Sequence, residues 1–436
     1  MVDSFFEVLN AVDEFFWSYI GIYLVVISGL YFTIRNKGYQ FKVLKQFSKT
    51  YTDLNKVSQN KTDPGINPFK LYFASVGGMV GLGNIVIIIT SVTHGGPGVL
   101  VWLWIASLAG MMIKYSEIYL GVKYRKANKK GGYDGGPMYY LQAAFGNKFM
   151  PVIACIMLCI YGIEVSQFKI ITDTISHTYE VDAKAVMAIL LFVTLYTAIG
   201  GIKRMANFCS VLMPPFMIIY IIMCLFVIIN NYDVLPEVMK TVFISAFKGH
   251  APVAGFVGST FLMAAQFGVA RAVYSGDIAI GYDSVVQSET KTKHPELQGK
   301  LAIFSQLTDS FICTLSILVV LVTGVWYDPS ITDPSGYVIK ALSAHFPHID
   351  LFMSLLFFLA GFTTVIAYFA VGLKSAKFLN KTWGKRIYLI YAIVAFITTY
   401  YTTQENVITV MSLSAGVLVL INILGILKLQ SKIKFI

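Results

Sequence analysis

Apolar runs recur along the whole of this 436-residue chain, for example at 152–161, 185–199 and 352–369. They constrain it more than any other feature. About 20 apolar residues cross a bilayer, and in hydrocarbon the backbone must satisfy its own hydrogen bonds. Charged residues make up 13% of the chain, against about 25% in a soluble protein. The pattern predicts an all-α polytopic membrane protein. Eleven spans are expected, at 15–34, 69–92, 99–122, 149–175, 183–200, 208–230, 251–285, 300–325, 349–374, 386–403 and 406–427.

The net charge of +11 could suggest nucleic acid, but its distribution argues otherwise. About 27 of the 34 Lys and Arg fall in alternate gaps between spans, and about four in the opposite gaps. That asymmetry predicts a cell-membrane protein with those loops and the tail "KLQSKIKF" in the cytoplasm. The N-terminus, with Asp3, Glu7, Asp13, Glu14 and no base before Arg35, is expected outside. A basic stretch typical of a secretory signal is absent.

The expected organisation starts with an N-terminal helix and basic segment (1–68), in which "FKVLKQFSKTYTDL" has Phe41, Leu44, Phe47 and Leu54 near helical spacing. It could lie on the membrane surface or be a solvated linker. Two five-helix repeats follow at 69–230 and 251–428, joined by an outer connector (231–250), with a tail at 429–436. Five helices per repeat makes the second enter from the opposite side, an inverted-topology repeat. The first helix of each repeat looks interrupted. "ASVGGMVGLGN" places Gly77, Gly78, Gly81 and Gly83 before Asn84, and "AQFGVARAVYSGDIAIG" breaks a segment of about 35 residues, too long for one straight span. Glycine lets a helix unwind, and the freed N–H and C=O groups can hold an anion and a cation. A zwitterionic amino acid with a metal cation would use both. Close packing of small residues is the plainer alternative.

Several quoted stretches resemble the alanine/glycine:cation symporters, nearly end to end: "VGLGNI", "GGPGVLVWLWIASLAGMMIKYSEIYLGVKYR", "GGPMYYL", "AIGGIKRMAN", "FGVARAVYSGDIAIG" and "KTKHPELQG". The resemblance implies a LeuT-type 5+5 inverted-repeat core plus one extra N-terminal helix, and sodium-coupled symport of alanine or glycine. It implies substrate contacts near Gly81, Gly83, Asn84, Gln167, Gln266, Phe267 and Tyr368, with Gln266 and Phe267 at the second break. Sodium would be held by backbone at Val76 and Met79 and by hydroxyls of Thr363 and Thr364, since a hard cation prefers oxygen. The bland readings are a helix–helix hydrogen bond for Gln167, packing for Phe267 and back-bonding for the threonines. The chain departs from the family at Met79 (usually a small hydroxyl residue), at Tyr368 and Leu373 (Trp and Glu), and at Gly276 and Asp277 (Asn and Glu).

Ionisable residues within spans default to functional candidates. Lys114 and Glu117, at i and i+3, suggest a local pair, as do Lys169 and Asp173 at i and i+4. Glu164, three residues before Gln167, could meet a substrate amine, carry a proton or pair with Arg271. Proton coupling through Glu164 or Asp277 is therefore the alternative, followed by a non-transporting sensor. Nothing points to an enzyme: the six histidines lack metal spacing and show no nucleophile-base arrangement. Cys155 and Cys159 share a helix face without further ligands. No organic cofactor or nucleic-acid partner is expected; substrate and membrane lipid are.

Overall fold

The computed structural model describes residues 2–59, 63–128, 131–251, 258–331 and 334–436. Each of the eleven expected segments contains helix. Seven helices are long and apolar enough to cross a membrane: Phe5–Arg35, Val99–Lys123, Phe149–Tyr179, Gly201–Asn230, Pro295–Val322, Ile349–Leu379 and Gln404–Lys428. An eighth span is the bent pair Pro68–Met79 and Gly83–Gly95, which turns by 51°. The other three segments are shorter than expected. They form Ala183–Ala198, Phe261–Gly276 followed by Tyr282–Gln287, and Gly384–Thr398. The described residues thus show eight spans of full length and helix in the other three expected segments.

Local chemistry sets the helix starts. The Asn67 side chain accepts from the Phe69 amide at 2.8 Å, with Pro68 in the first turn. Thr260 and Thr403 accept from Met263 and Asn406 at 3.2 and 3.3 Å. These caps satisfy amides that the helix leaves unpaired.

Burial divides the helices into an inner and an outer set. Val99–Lys123 and Ile349–Leu379 are the most enclosed, with 78% and 83% of their apolar windows buried, whereas Gly201–Asn230 has 35% and flanks the bundle. The N-terminal helix is continuous from Val2 to Arg35 through a π-helical turn at Trp17–Gly21. It packs closely on Val99–Lys123: a Cβ on Gly29 would strike the Ala109 backbone. The basic segment after it folds into two short helices, Tyr39–Lys45 and Phe47–Ser58. Leu54 is buried there, while Phe41 and Phe47 remain exposed.

Candidate functional site

The first break is built by close approach. The helix ends at Met79, Val80 turns extended (φ −83°, ψ 90°), and the chain resumes helix at Gly83. Neither Gly81 nor Gly83 has positive φ. They are needed for space instead. A Cβ on Gly81 would fall on the Thr364 hydroxyl, and one on Gly83 would reach a terminal nitrogen of Arg271. Freed amides find side chains: Leu82 N–H donates to Gln167 Oε1 at 3.1 Å, and Gly81 N–H to Asn84 Oδ1 at 3.3 Å. Asn84 Nδ2 donates to Asp309 Oδ1 at 2.6 Å, whose other oxygen accepts from Ser275 at 2.9 Å. Asn84 therefore ties the break to the helix Pro295–Val322.

The second break is built by torsion. The helix ends at Gly276, and Asp277, Ala279 and Gly281 all take positive φ (49°, 60° and 108°). Asp277 Oδ2 accepts the Asp283 amide at 2.7 Å, which caps the helix Tyr282–Gln287, and Tyr368 donates to Oδ1 at 3.4 Å. Lys114 pairs with Asp283 at 3.1 Å, and both side chains are fully buried. The expected pair of Lys114 with Glu117 is thus corrected. The lysine also donates to the Gly276 carbonyl and lies 3.0 Å from the Met79 sulfur. One cation therefore sits at the carboxy-terminal ends of both broken helices, where the helix dipoles favour positive charge. The Lys169–Asp173 pair forms at 3.3 Å.

Gln266 and Phe267 are not at this break. Their helix continues to Gly276, and Phe267 packs on His94 with ring centroids 5.5 Å apart. The "FGV" glycine, Gly268, serves packing instead: a Cβ there would strike Trp102 and the backbone of Val99.

A third interruption was not read from the sequence. Glu164 takes a left-handed conformation (φ 53°, ψ 46°) between Phe149–Tyr161 and Val165–Tyr179. A carboxylate residue in that region is uncommon, and such strain gathers at functional sites. The nearby Gly162 was the available signal.

Between these interruptions lies a cavity of about 60 Å³, lined by Gly83, Gln167, Glu164, Arg271, Tyr274, Thr364 and Tyr368 among others. Of the expected substrate residues, Gly83, Gln167 and Tyr368 line it, while Gly81 lies behind Thr364. Tyr368 stacks on Tyr282 at 4.0 Å. Arg271 and Glu164 are both buried, yet no ion pair within 4 Å joins them among the described residues. Among the described residues the Arg271 Nε has no hydrogen-bond partner.

The expected sodium ligands are only partly brought together. The Thr364 hydroxyl donates to Ala360 O at 3.2 Å and lies 3.5 Å from Gly77 O. Thr363 bonds back to Leu359 and Ala360 and faces the Met213 sulfur at 3.3 Å. Successive helical residues diverge by about 100°, so adjacent threonines face different neighbours. The Val76 carbonyl accepts from Val80 at 2.7 Å, and the Met79 side chain points to Lys114.

A model of the sodium:alanine symporter family matches residues 2–435. The chain belongs to that family. Family members are transporters, not enzymes. An uncharacterized transporter of Haemophilus influenzae is 30% identical over 88% of this chain and 84% of its own length. The sodium/alanine symporter AgcS of Methanococcus maripaludis is 26% identical over 90% of this chain and 88% of its own. The crystal structure of MhsT in complex with L-phenylalanine superposes with a TM-score of 0.57 at 13% identity, covering 82% of this chain and 87% of that one. The symporter thus has the LeuT-type fold, with broken helices around a central cavity.

Proposed function

We propose that this symporter imports small neutral amino acids, alanine or glycine, together with sodium by alternating access. In this reading the N-terminus faces outside. The observation that carries it is Arg271, a buried guanidinium at the cavity without an ion-pair partner among the described residues, beside the backbone of Gly83. A buried cation of this kind calls for an anion, and a substrate carboxylate supplies one. Across the cavity Glu164 offers an acceptor for the ammonium. The small volume supports a short side chain, since one water needs about 10–15 Å³ by the same measure. Sodium is assigned to the Thr364 hydroxyl and the Gly77 carbonyl, both oxygen donors next to the first break.

The test is uptake of a labelled amino-acid panel into liposomes carrying the purified protein. Alanine or glycine should accumulate under an inward sodium gradient and fail to do so when choline replaces sodium. Equal accumulation without sodium would overturn the coupling. A second reading, proton coupling, is favoured by one observation: Glu164 is a buried carboxylate at the cavity without an ion-pair partner among the described residues. Accumulation driven by a pH gradient in sodium-free liposomes, lost in Glu164→Gln, would select it.

A further inference from the structure

The N-terminal helix lies outside the ten-helix core, yet it reaches the cavity wall. Three turns of the helix Gln404–Lys428 hold it. Thr409 donates to Asn10 Oδ1 at 2.5 Å, Ser412 donates to the Asp13 carboxylate, and Gly416 gives room to the Phe16 ring. The π-helical turn begins at Trp17, whose indole N–H donates to Ser412 Oγ at 3.0 Å and whose ring lies 5.1 Å from that of Tyr274. Tyr274 and Ser412 share a hydrogen bond, and both line the cavity.

With Asp13 ionised, the hydrogens in this network have one consistent arrangement. A carboxylate only accepts, so the single Ser412 hydrogen goes to Asp13. The Ser412 oxygen has two lone pairs; one takes the Trp17 N–H and the other must take the Tyr274 O–H. Tyr274 then has no hydrogen left for the cavity. Toward anything in the cavity its oxygen can only accept.

We propose that Asp13 is a specificity-determining residue: through Ser412 it orients the Tyr274 hydroxyl as an acceptor for the substrate ammonium. This rests on the amino-acid reading given above. It assigns a substrate-selecting role to a helix that the inverted-repeat core does not require. Asp13 is a positioning residue, because it acts through two hydroxyls and touches no ligand. Replacing it by asparagine offers Ser412 a donor. The relay can then run backwards, leaving the Tyr274 hydrogen aimed at an ammonium that itself only donates.

Binding of labelled alanine to the full-length protein, with propionate as the competitor lacking an ammonium, tests the relay. Asp13→Asn should weaken alanine binding about tenfold, the scale of one hydrogen bond to a charged group, and leave propionate competition within about twofold. Asp13→Glu, which offers Ser412 acceptors only, should restore most of the affinity. Tyr274→Phe should weaken alanine binding by a similar factor, and adding Asp13→Asn to it should cost little more, because residues acting in series are not additive. Ser412→Ala breaks the relay without altering the N-terminal helix and serves if Asp13→Asn fails to fold. Wild-type alanine affinity in Asp13→Asn or, failing that variant, in Ser412→Ala would overturn the proposal, as would full additivity with Tyr274→Phe. Absence of alanine binding by the wild type would instead overturn the amino-acid reading, and the relay with it.

Discussion

The two broken helices solve the same problem in different ways. At the first break, glycines with ordinary torsions let side chains from three other helices press against the backbone, and Gln167 meets the Leu82 amide. At the second, Asp277 and Ala279 take strained torsions, and the loop closes on itself through the Asp277 carboxylate and the Asp283 amide. The first break is open to what packs on it and lines the cavity. The second is stapled shut by Asp277 and Lys114. The difference separates a surface built for a ligand from a joint built to hold its shape, and Lys114 touches both.

Removing that shared contact should give the largest effect. Lys114→Met leaves Asp283 buried without its partner, and breaking such a pair costs about 3–5 kcal/mol. Thermal unfolding in detergent should show a large drop, with partial recovery in Lys114→Met/Asp283→Asn. Unchanged stability would mean that the two breaks are independent.

Next comes Gly83→Leu, which acts on the first break alone. The new side chain occupies the Arg271 guanidinium's position, so alanine binding should fall by about 100-fold or more while thermal stability falls by less than in Lys114→Met. Retained affinity would remove this break from the site.

A smaller effect is expected at Thr364. Thr364→Val keeps the shape but deletes the hydroxyl beside Gly77 O, and sodium's stimulation of alanine binding should drop by about fivefold to tenfold, a coupling energy of ordinary size. The smallest belongs to its neighbour. Thr363→Val loses a hydroxyl committed to its own helix and to Met213, and sodium stimulation should change by less than about twofold. Equal losses in the two valine variants would restore the paired-threonine site expected from the sequence.

Much of this was legible beforehand because it depends on short stretches. Apolar runs announced the helices, and the glycine cluster announced the first break. The placements that failed depended on partners distant in the chain. Gln266 and Phe267 were expected at the second break because Gly268 looked like a break point, but Gly268 admits Trp102 and the helix runs on to Gly276. Lys114 looked paired with Glu117 by spacing, yet Asp283, far along the sequence, takes it. Apolarity marked all eleven helical segments without giving the length of unbroken helix in each.

The sequence by itself determined that the chain lives in a membrane, is helical and carries a weakened helix near residue 80. Those follow from transfer of residues to hydrocarbon and from local backbone cost, neither of which needs a partner. Tertiary structure decided which of two adjacent threonines meets the break, that Glu164 sits in a third interruption, and that Asp13 reaches the cavity wall through Ser412. Each of these depends on a hydrogen bond, a close approach or a torsion imposed by packing between remote segments, and such contacts have directions that composition and spacing do not carry.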